Sequence, residues 1–350
     1  MRALVIAPQW IGDAVMAEPL LATLAERGEA VTVAALPWVA PVFAAMPQVA
    51  ATIALPFAHG RLDWRARRRL AASLRGRFDV AYVLPNSLKA ALVPWLARIA
   101  RRVGYRGELR AALLTDPLPR PRGRPPMVPF YGALAGPGFD AGRRPRLRIA
   151  RERVDAVAST HALAAATYWA FAPGAEYGAA KRWPAAHYAA LARALHARDA
   201  APVVLLGSPG EAALCAEIAA ESRGACRVLA GRTSLFDAMA LIAGARGLAS
   251  NDSGLMHVGA AFGVPQVAVF GSTSPLHTPP QSDRARVLWL KDELGLDCMP
   301  CFDRTCRFGH YRCLTEVPVD RVLAAFDSAE RPPAAATPPS RREGLGREQP

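Results

Sequence analysis

Lysine is almost missing from this chain of 350 residues: only Lys89, Lys181 and Lys291 occur, so 40 of the 43 basic residues are arginine. Long apolar runs are missing too. No stretch of about 18 apolar residues is present, which excludes a membrane-spanning helix. The N-terminal run Ala3–Ala7 is cut by Pro8 and followed by Asp13 and Glu18, too short for the core of a signal peptide. The protein is therefore expected in the cytoplasm. No G-x-G-x-x-G follows a strand and no G-x-x-x-x-G-K-[ST] occurs, so both the dinucleotide fingerprint and the P-loop are absent. The net charge of +14 would attract an anionic partner. Nucleic acid is not expected, because there is no zinc-finger spacing and no basic region interleaved with aromatics.

What is present is apolar and alternating. The chain is 52% hydrophobic and 21% charged, with a length that suits two domains of about 150 residues each. Ala3–Ala7, Val31–Ala35 and Val80–Leu84 read as strands, and Ala14–Ala25, Trp64–Leu74 and Leu88–Ala97 as helices. Met127–Ala135 reads as a short helix within a segment rich in Pro, Arg and Gly. The pattern restarts with strands at Tyr168–Ala172, Val203–Leu206, Gly247–Ala249 and Val267–Phe270. Helices are expected at Ala185–Ala197, from Glu211, at Leu235–Gly244 and Leu255–Phe262, and a last one over 318–329. This alternation predicts an α/β fold with two doubly wound parallel sheets, residues 1–160 and 161–330. The tail 331–350 lacks apolar periodicity and is expected to be disordered.

Sheets of this kind bind ligands beyond the carboxyl ends of their strands, and polar turns fall there. The segment Asn251-Asp252-Ser253-Gly254-Leu255-Met256-His257 couples a strand end to a helix start. Asp252 or Ser253 can cap that helix, and Gly254 lets a ligand approach the unpaired N–H groups, a common phosphate site. Pro173 to Pro184 holds Gly174, Gly178 and Lys181. A lysine kept in an arginine-rich chain suits a compact charge facing a diphosphate. Glu211, after Gly207-Ser208-Pro209-Gly210, is either a ribose acceptor or a helix cap. Asp13, beside Gly12, is either a general base or an N-terminal helix charge. Asn86 and Lys89 lie in a similar turn of the first half.

These segments together, with Trp-Ile-Gly-Asp at 10–13, Leu-Pro-Asn-Ser at 84–87, Val-Gly-Tyr-Arg-Gly-Glu at 103–108 and Thr-Pro-Pro at 278–280, resemble the lipopolysaccharide heptosyltransferases of glycosyltransferase family 9. They lie nearest the heptosyltransferase II branch, and the resemblance runs from residue 1 to about 327. It implies a GT-B fold of two facing Rossmann-like domains with a cleft between them, acceptor on the first and nucleotide sugar on the second. It implies inverting transfer of L-glycero-D-manno-heptose from ADP-heptose to the first heptose of heptosyl-Kdo2-lipid A, with no cofactor and no metal. The alternatives are heptosyltransferase I, acting on Kdo2-lipid A, and a nucleotide-sugar epimerase or dehydrogenase, against which the missing fingerprint counts. Residue by residue, Asp13 matches the catalytic base and Lys181 the residue that stabilises the departing ADP. Gly174, Glu211, Asp252, Ser253, Gly254 and His257 match the donor side. Asn86, Lys89 and Arg106 are candidates for the acceptor. An anionic glycolipid acceptor implies work at the cytoplasmic face of the inner membrane. Arg65, Arg67, Arg68 and Arg69 with Leu62, Trp64 and Leu70 are expected to face that surface.

Four cysteines cluster as Cys298-x2-Cys301-x4-Cys306-x6-Cys313, with His310 among them. Four thiolates suffice for a zinc site. The spacing matches no standard module, and a redox-labile loop or free thiols are equally open.

Overall fold

The computed structural model describes residues 1–57 and 62–330; the tail expected to be disordered, 331–350, lies outside them. The first half forms β1 (Arg2–Ile6), β2 (Ala30–Ala35), β3 (Val49–Ala54), β4 (Val80–Val83), β5 (Arg101–Tyr105) and β6 (Asp116–Leu118). The second forms β7 (Trp169–Ala172), β8 (Val203–Leu205), β9 (Cys226–Val228), β10 (Leu248–Asn251), β11 (Gln266–Val269) and β12 (Ala285–Leu288). These make two six-stranded sheets, ordered β3-β2-β1-β4-β5-β6 and β12-β11-β10-β7-β8-β9. Neighbours are parallel throughout. The second order is the first one read from its other edge, so both sheets are doubly wound. Each has a switch point where the order reverses, between β1 and β4 and between β7 and β10. There the connecting helices leave to opposite faces and open a crevice.

The central strands were expected from their apolar runs, and β1, β4, β7, β8, β10 and β11 are indeed almost wholly buried. The strands β3, β6, β9 and β12 escape that reading because they are half-exposed and mix polar with apolar residues; β5 begins with two arginines. The helix expected over 14–25 is two helices, Ile11–Met16 and Glu18–Glu26, hinged at Ala17. Pro19 has no N–H to continue the first helix and suits the opening turn of the second.

One apolar core runs from the first sheet to the helix Leu235–Ala243 and on to Val258 of the helix Gly254–Phe262. A second fills the far face of the second sheet, where Phe326 of the last helix, Val319–Glu330, meets Trp169 edge to face at 4.9 Å. The two sheets face each other through two helix N-termini. A Cβ placed on Gly12 would stand 2.8 Å from His257 Cδ2, and one on Gly254 would stand 2.7 Å from Ile11 Cβ. The helices Ile11–Met16 and Gly254–Phe262 can touch there only because both positions lack a side chain. Two facing Rossmann-like sheets with their carboxyl edges turned toward each other are the GT-B arrangement.

Candidate active site

The expected turns all fall at the carboxyl edges, and four of them flank the two switch points. β1 runs out into Ala7–Trp10 and the helix Ile11–Met16, whose first turn holds Asp13. Asp13 is half-buried there. Oδ1 accepts the Tyr131 hydroxyl at 3.0 Å. Burial raises the proton affinity of Asp13 above the usual carboxylate range, opposed by the Tyr131 hydrogen bond and by His277 and Lys181, and assisted by Asp252.

Across the contact, Lys181 Nζ donates to Asp252 Oδ2 at 2.5 Å. The same oxygen accepts the Thr273 hydroxyl at 2.6 Å, and Thr278 Oγ1 reaches Oδ1 at 3.5 Å. Asn251, fully buried at the end of β10, ties together the ends of β10 and of the loop after β7. Its Nδ2 donates to the Pro173 carbonyl at 2.6 Å, while its Oδ1 accepts the Trp183 N–H at 2.9 Å and the Tyr188 hydroxyl at 3.1 Å. Ser253 caps the helix Gly254–Phe262 by position, yet its side chain makes no cap bond and its Oγ is buried without a partner. A helix start with open N–H groups and a spare hydroxyl is suited to an anion. His257, one turn further in, is buried against Gly12. Burial drives its basicity down to about 4, so it is neutral near pH 7.

Glu211 closes a capping box: Oε2 accepts the Ser208 N–H at 2.7 Å and its hydroxyl at 3.0 Å. Its other oxygen lies where a side chain on Gly174 would be, 1.7 Å from that Cβ position. Gly174 is thus small so that the Glu211 carboxylate can occupy the space beside it. The capping role of Glu211 is thus present in one oxygen, and the other faces the loop after β7.

The acceptor candidates are less concentrated. Asn86 Oδ1 accepts from Arg110 at 3.0 Å, and the buried Arg110 also donates to the Tyr105 carbonyl at 2.7 Å and to that of Pro85. Burial lowers the Arg110 guanidinium to about 10. Lys89 lines a solvent-open pocket of about 550 Å³ at the carboxyl edge of the first sheet, together with Gln9, Arg67 and Ser87. Arg106 stands exposed on the next loop. The expected membrane-facing patch needs two corrections. Leu70 is half-buried against the first apolar core. Arg67 turns inward, where it donates to the Leu62 and Lys89 carbonyls at 2.5 and 2.8 Å and stacks over Phe57 at 4.0 Å. Leu62, Trp64, Arg65, Arg68 and Arg69 are exposed.

The four clustered cysteines form no disulfide with one another. Cys298, Cys301, Cys306 and Cys313 line one pocket of about 360 Å³ with His310, and no group of three metal-ligating side chains converges among the described residues. The segment packs against the loops after β11 and β7: the Phe302 N–H donates to the Ser272 carbonyl at 2.7 Å, and the Ala180 N–H to that of Arg304 at 3.1 Å.

Comparison with known proteins sets these features in a family. Residues 67–312 match the model of glycosyltransferase family 9 (heptosyltransferase). Lipopolysaccharide heptosyltransferase 2 of Salmonella typhimurium is 42% identical over 311 residues, 83% of this chain and 88% of the relative. The chain belongs to glycosyltransferase family 9. The lipooligosaccharide heptosyltransferase 2 of Haemophilus ducreyi is 39% identical over 92% of this chain and 97% of its own. Among solved structures, the ADP-heptose LPS heptosyltransferase II of Escherichia coli superposes with a TM-score of 0.81 at 37% identity, covering 94% of this chain and 98% of that one. As a family 9 member the protein is a glycosyltransferase of the heptosyltransferase type, and its two facing sheets are those of the family's GT-B fold. Sequence reasoning missed Tyr131, Thr273 and His277, which this glycosyltransferase places around Asp13 and Asp252. The signal near the last two was Thr278-Pro279-Pro280, which counted toward the resemblance without any role assigned to it.

Proposed function

We propose that this glycosyltransferase moves L-glycero-D-manno-heptose from ADP-heptose, with inversion, onto the first heptose of heptosyl-Kdo2-lipid A. In this reading residues 1–160 hold the acceptor and 161–330 the donor. Asp13 takes the proton of the acceptor hydroxyl as that oxygen attacks the anomeric carbon, and the bond to ADP breaks on the opposite face. A positioned base contributes about 10²–10⁴-fold. Lys181, shared with Asp252, meets the negative charge that grows on the departing diphosphate. The Ser253 hydroxyl and the amides from Gly254 onward meet the diphosphate at the helix start, and the free oxygen of Glu211 accepts from the ribose. Asn86, Lys89 and Arg106 meet the acceptor. His257 packs beside the donor as a neutral ring.

The observation that carries the reading is the placement of Asp13 opposite the Lys181–Asp252 pair, across the contact of two helix N-termini at the switch points. Work at the cytoplasmic face of the inner membrane belongs to the same proposal. It is supported by the exposed Trp64, Arg65, Arg68 and Arg69 and by the lack of any helix, among the described residues, long and apolar enough to cross a bilayer. The test is ADP release from ADP-heptose with acceptors bearing no heptose or one, for wild type and Asp13→Asn. Turnover with the one-heptose acceptor alone, lost in the variant while ADP still binds, is the expected result. Turnover with the heptose-free acceptor would move the assignment to heptosyltransferase I.

A further inference from the structure

Tyr131 is buried on the helix Met127–Gly132, 118 residues from the carboxylate it serves. Its hydroxyl is held as a donor: burial, then the charge of Asp13 and the hydrogen bond to it, push its ionisation well above the ordinary tyrosine range. A hydroxyl that cannot ionise occupies Oδ1 of Asp13 at every working pH and leaves Oδ2 to receive a proton. The ring is fixed as well. Phe130 stacks on Tyr105 at 4.4 Å, and the Tyr105 hydroxyl donates to the Phe130 carbonyl at 2.6 Å, which anchors this helix to β5.

The start of the same helix is bound to the other half of the molecule. The Met127 N–H donates to the His277 carbonyl at 3.1 Å, and His277 Nδ1 lies 2.5 Å from the Pro125 carbonyl. His277 belongs to the loop after β11, whose Thr273 and Thr278 hydroxyls reach the Asp252 carboxylate. One loop therefore touches the donor-side carboxylate with its threonines and the Tyr131 helix with its histidine.

We infer that Tyr131 is a positioning residue for Asp13, and that the 273–278 loop registers it against the donor side. The inference rests on the proposed role of Asp13 as base. The groups facing that carboxylate are Tyr131 on its own side, and His277, Lys181 and Asp252 from three separate segments of the second half, with the neutral His257 behind Gly12. Among these, the Tyr131 hydrogen bond opposes burial most strongly. Without it burial dominates, Asp13 holds its proton to higher pH, and a base that must be ionised becomes active later on the pH scale.

The test is the pH dependence of ADP release with the one-heptose acceptor, in wild type and Tyr131→Phe. The expected variant has kcat reduced on the order of 10-fold, as for loss of a hydrogen bond to a charged group. Its acid limb moves to higher pH, while KM for ADP-heptose stays as in wild type. A folded Tyr131→Phe enzyme with an unmoved acid limb overturns the inference. If the phenylalanine variant does not fold, 3-fluorotyrosine at position 131 replaces it. The more acidic hydroxyl is a stronger donor, so the limb must move to lower pH, and an unmoved limb again overturns the inference. Retained turnover in Asp13→Asn would instead remove the base assignment, a failure separate from that of Tyr131.

Discussion

Lys181 Nζ and Asp252 Oδ2 lie 2.5 Å apart with side chains only 15% and 5% exposed. An ion pair this enclosed is costly to break from one side, about 3–5 kcal/mol, because the remaining charge is stranded. Lys181→Met is therefore expected to lower thermal stability by an amount of that order and to weaken ADP binding. Adding Asp252→Asn removes the stranded carboxylate, so the double variant regains much of the stability without regaining ADP affinity. Melting curves with and without ADP separate the two effects. Full ADP affinity in Lys181→Met would show that the lysine does not meet the diphosphate.

The Glu211 carboxylate occupies the space that a Gly174 side chain would fill. Gly174→Ala must displace it, break the capping box with Ser208 and move the oxygen proposed for the ribose. KM for ADP-heptose should rise well above wild type with a smaller change in kcat. An unchanged KM would take Glu211 out of the donor site.

His257 gives acid sensitivity with a definite sign. An unfolded histidine titrates near 6.5, whereas burial holds this one down to about 4. Between those values the unfolded chain binds a proton that the folded chain refuses, so stability rises with pH across the window. It is complete above about 6.5 and falls away as the solution is acidified toward 4, by about 3 kcal/mol at most. Thermal melts from pH 4 to 7 should show a shallower acid slope for His257→Gln than for wild type. Equal slopes would mean that His257 contributes no such linkage.

The six cysteines should not react alike. Burial pushes Cys215 up to about 12 and Cys226 and Cys313 to about 11. Cys306 is also pushed up by what burial it has, but main-chain N–H groups of 308–311 outweigh that and hold its thiol below the ordinary value. The thiolate is the nucleophile, so limited iodoacetamide near pH 7 should label Cys306 first, read by peptide mass spectrometry. Earlier labelling of Cys313 would contradict the arrangement described.

Reversing the charge of Arg65, Arg68 and Arg69 should weaken binding to vesicles rich in anionic lipid and leave ADP binding intact, since all three are exposed on one helix. Arg67→Glu is a different experiment, because that side chain is packed under Phe57. Unaltered vesicle binding in the triple variant would exclude this surface as the docking face.

The turns at the carboxyl edges were legible in the sequence because their chemistry is local. Glycine and a carboxylate soon after an apolar run announce a polar turn beside a strand end, as at 10–13, 173–184 and 251–257. What surrounds them was not legible. Tyr131 reaches Asp13 across 118 residues, and Thr273 reaches Asp252 across 21. No short-range pattern encodes such meetings. Arg67 was misread for a related reason. Its neighbours Arg65, Arg68 and Arg69 share its composition, but Arg67 lies on the buried face with Ala71 and Leu74, where it meets Phe57 and the Leu62 and Lys89 carbonyls. The outer strands were hidden by their exposure, which removes the apolar run that marks a central strand.

The contact of Gly12 with His257 and of Gly254 with Ile11 leaves less than one methyl group of clearance between the two halves. A side chain at either glycine would therefore push the two halves apart, however the outer loops of each sheet are built. Two halves taken from different relatives should assemble into a working enzyme only when both bring their glycine and the Pro125–Met127 and His277 segments still meet across the seam. On the proposed division into an acceptor half and a donor half, recombination near residue 160 that keeps these contacts should exchange acceptor preference.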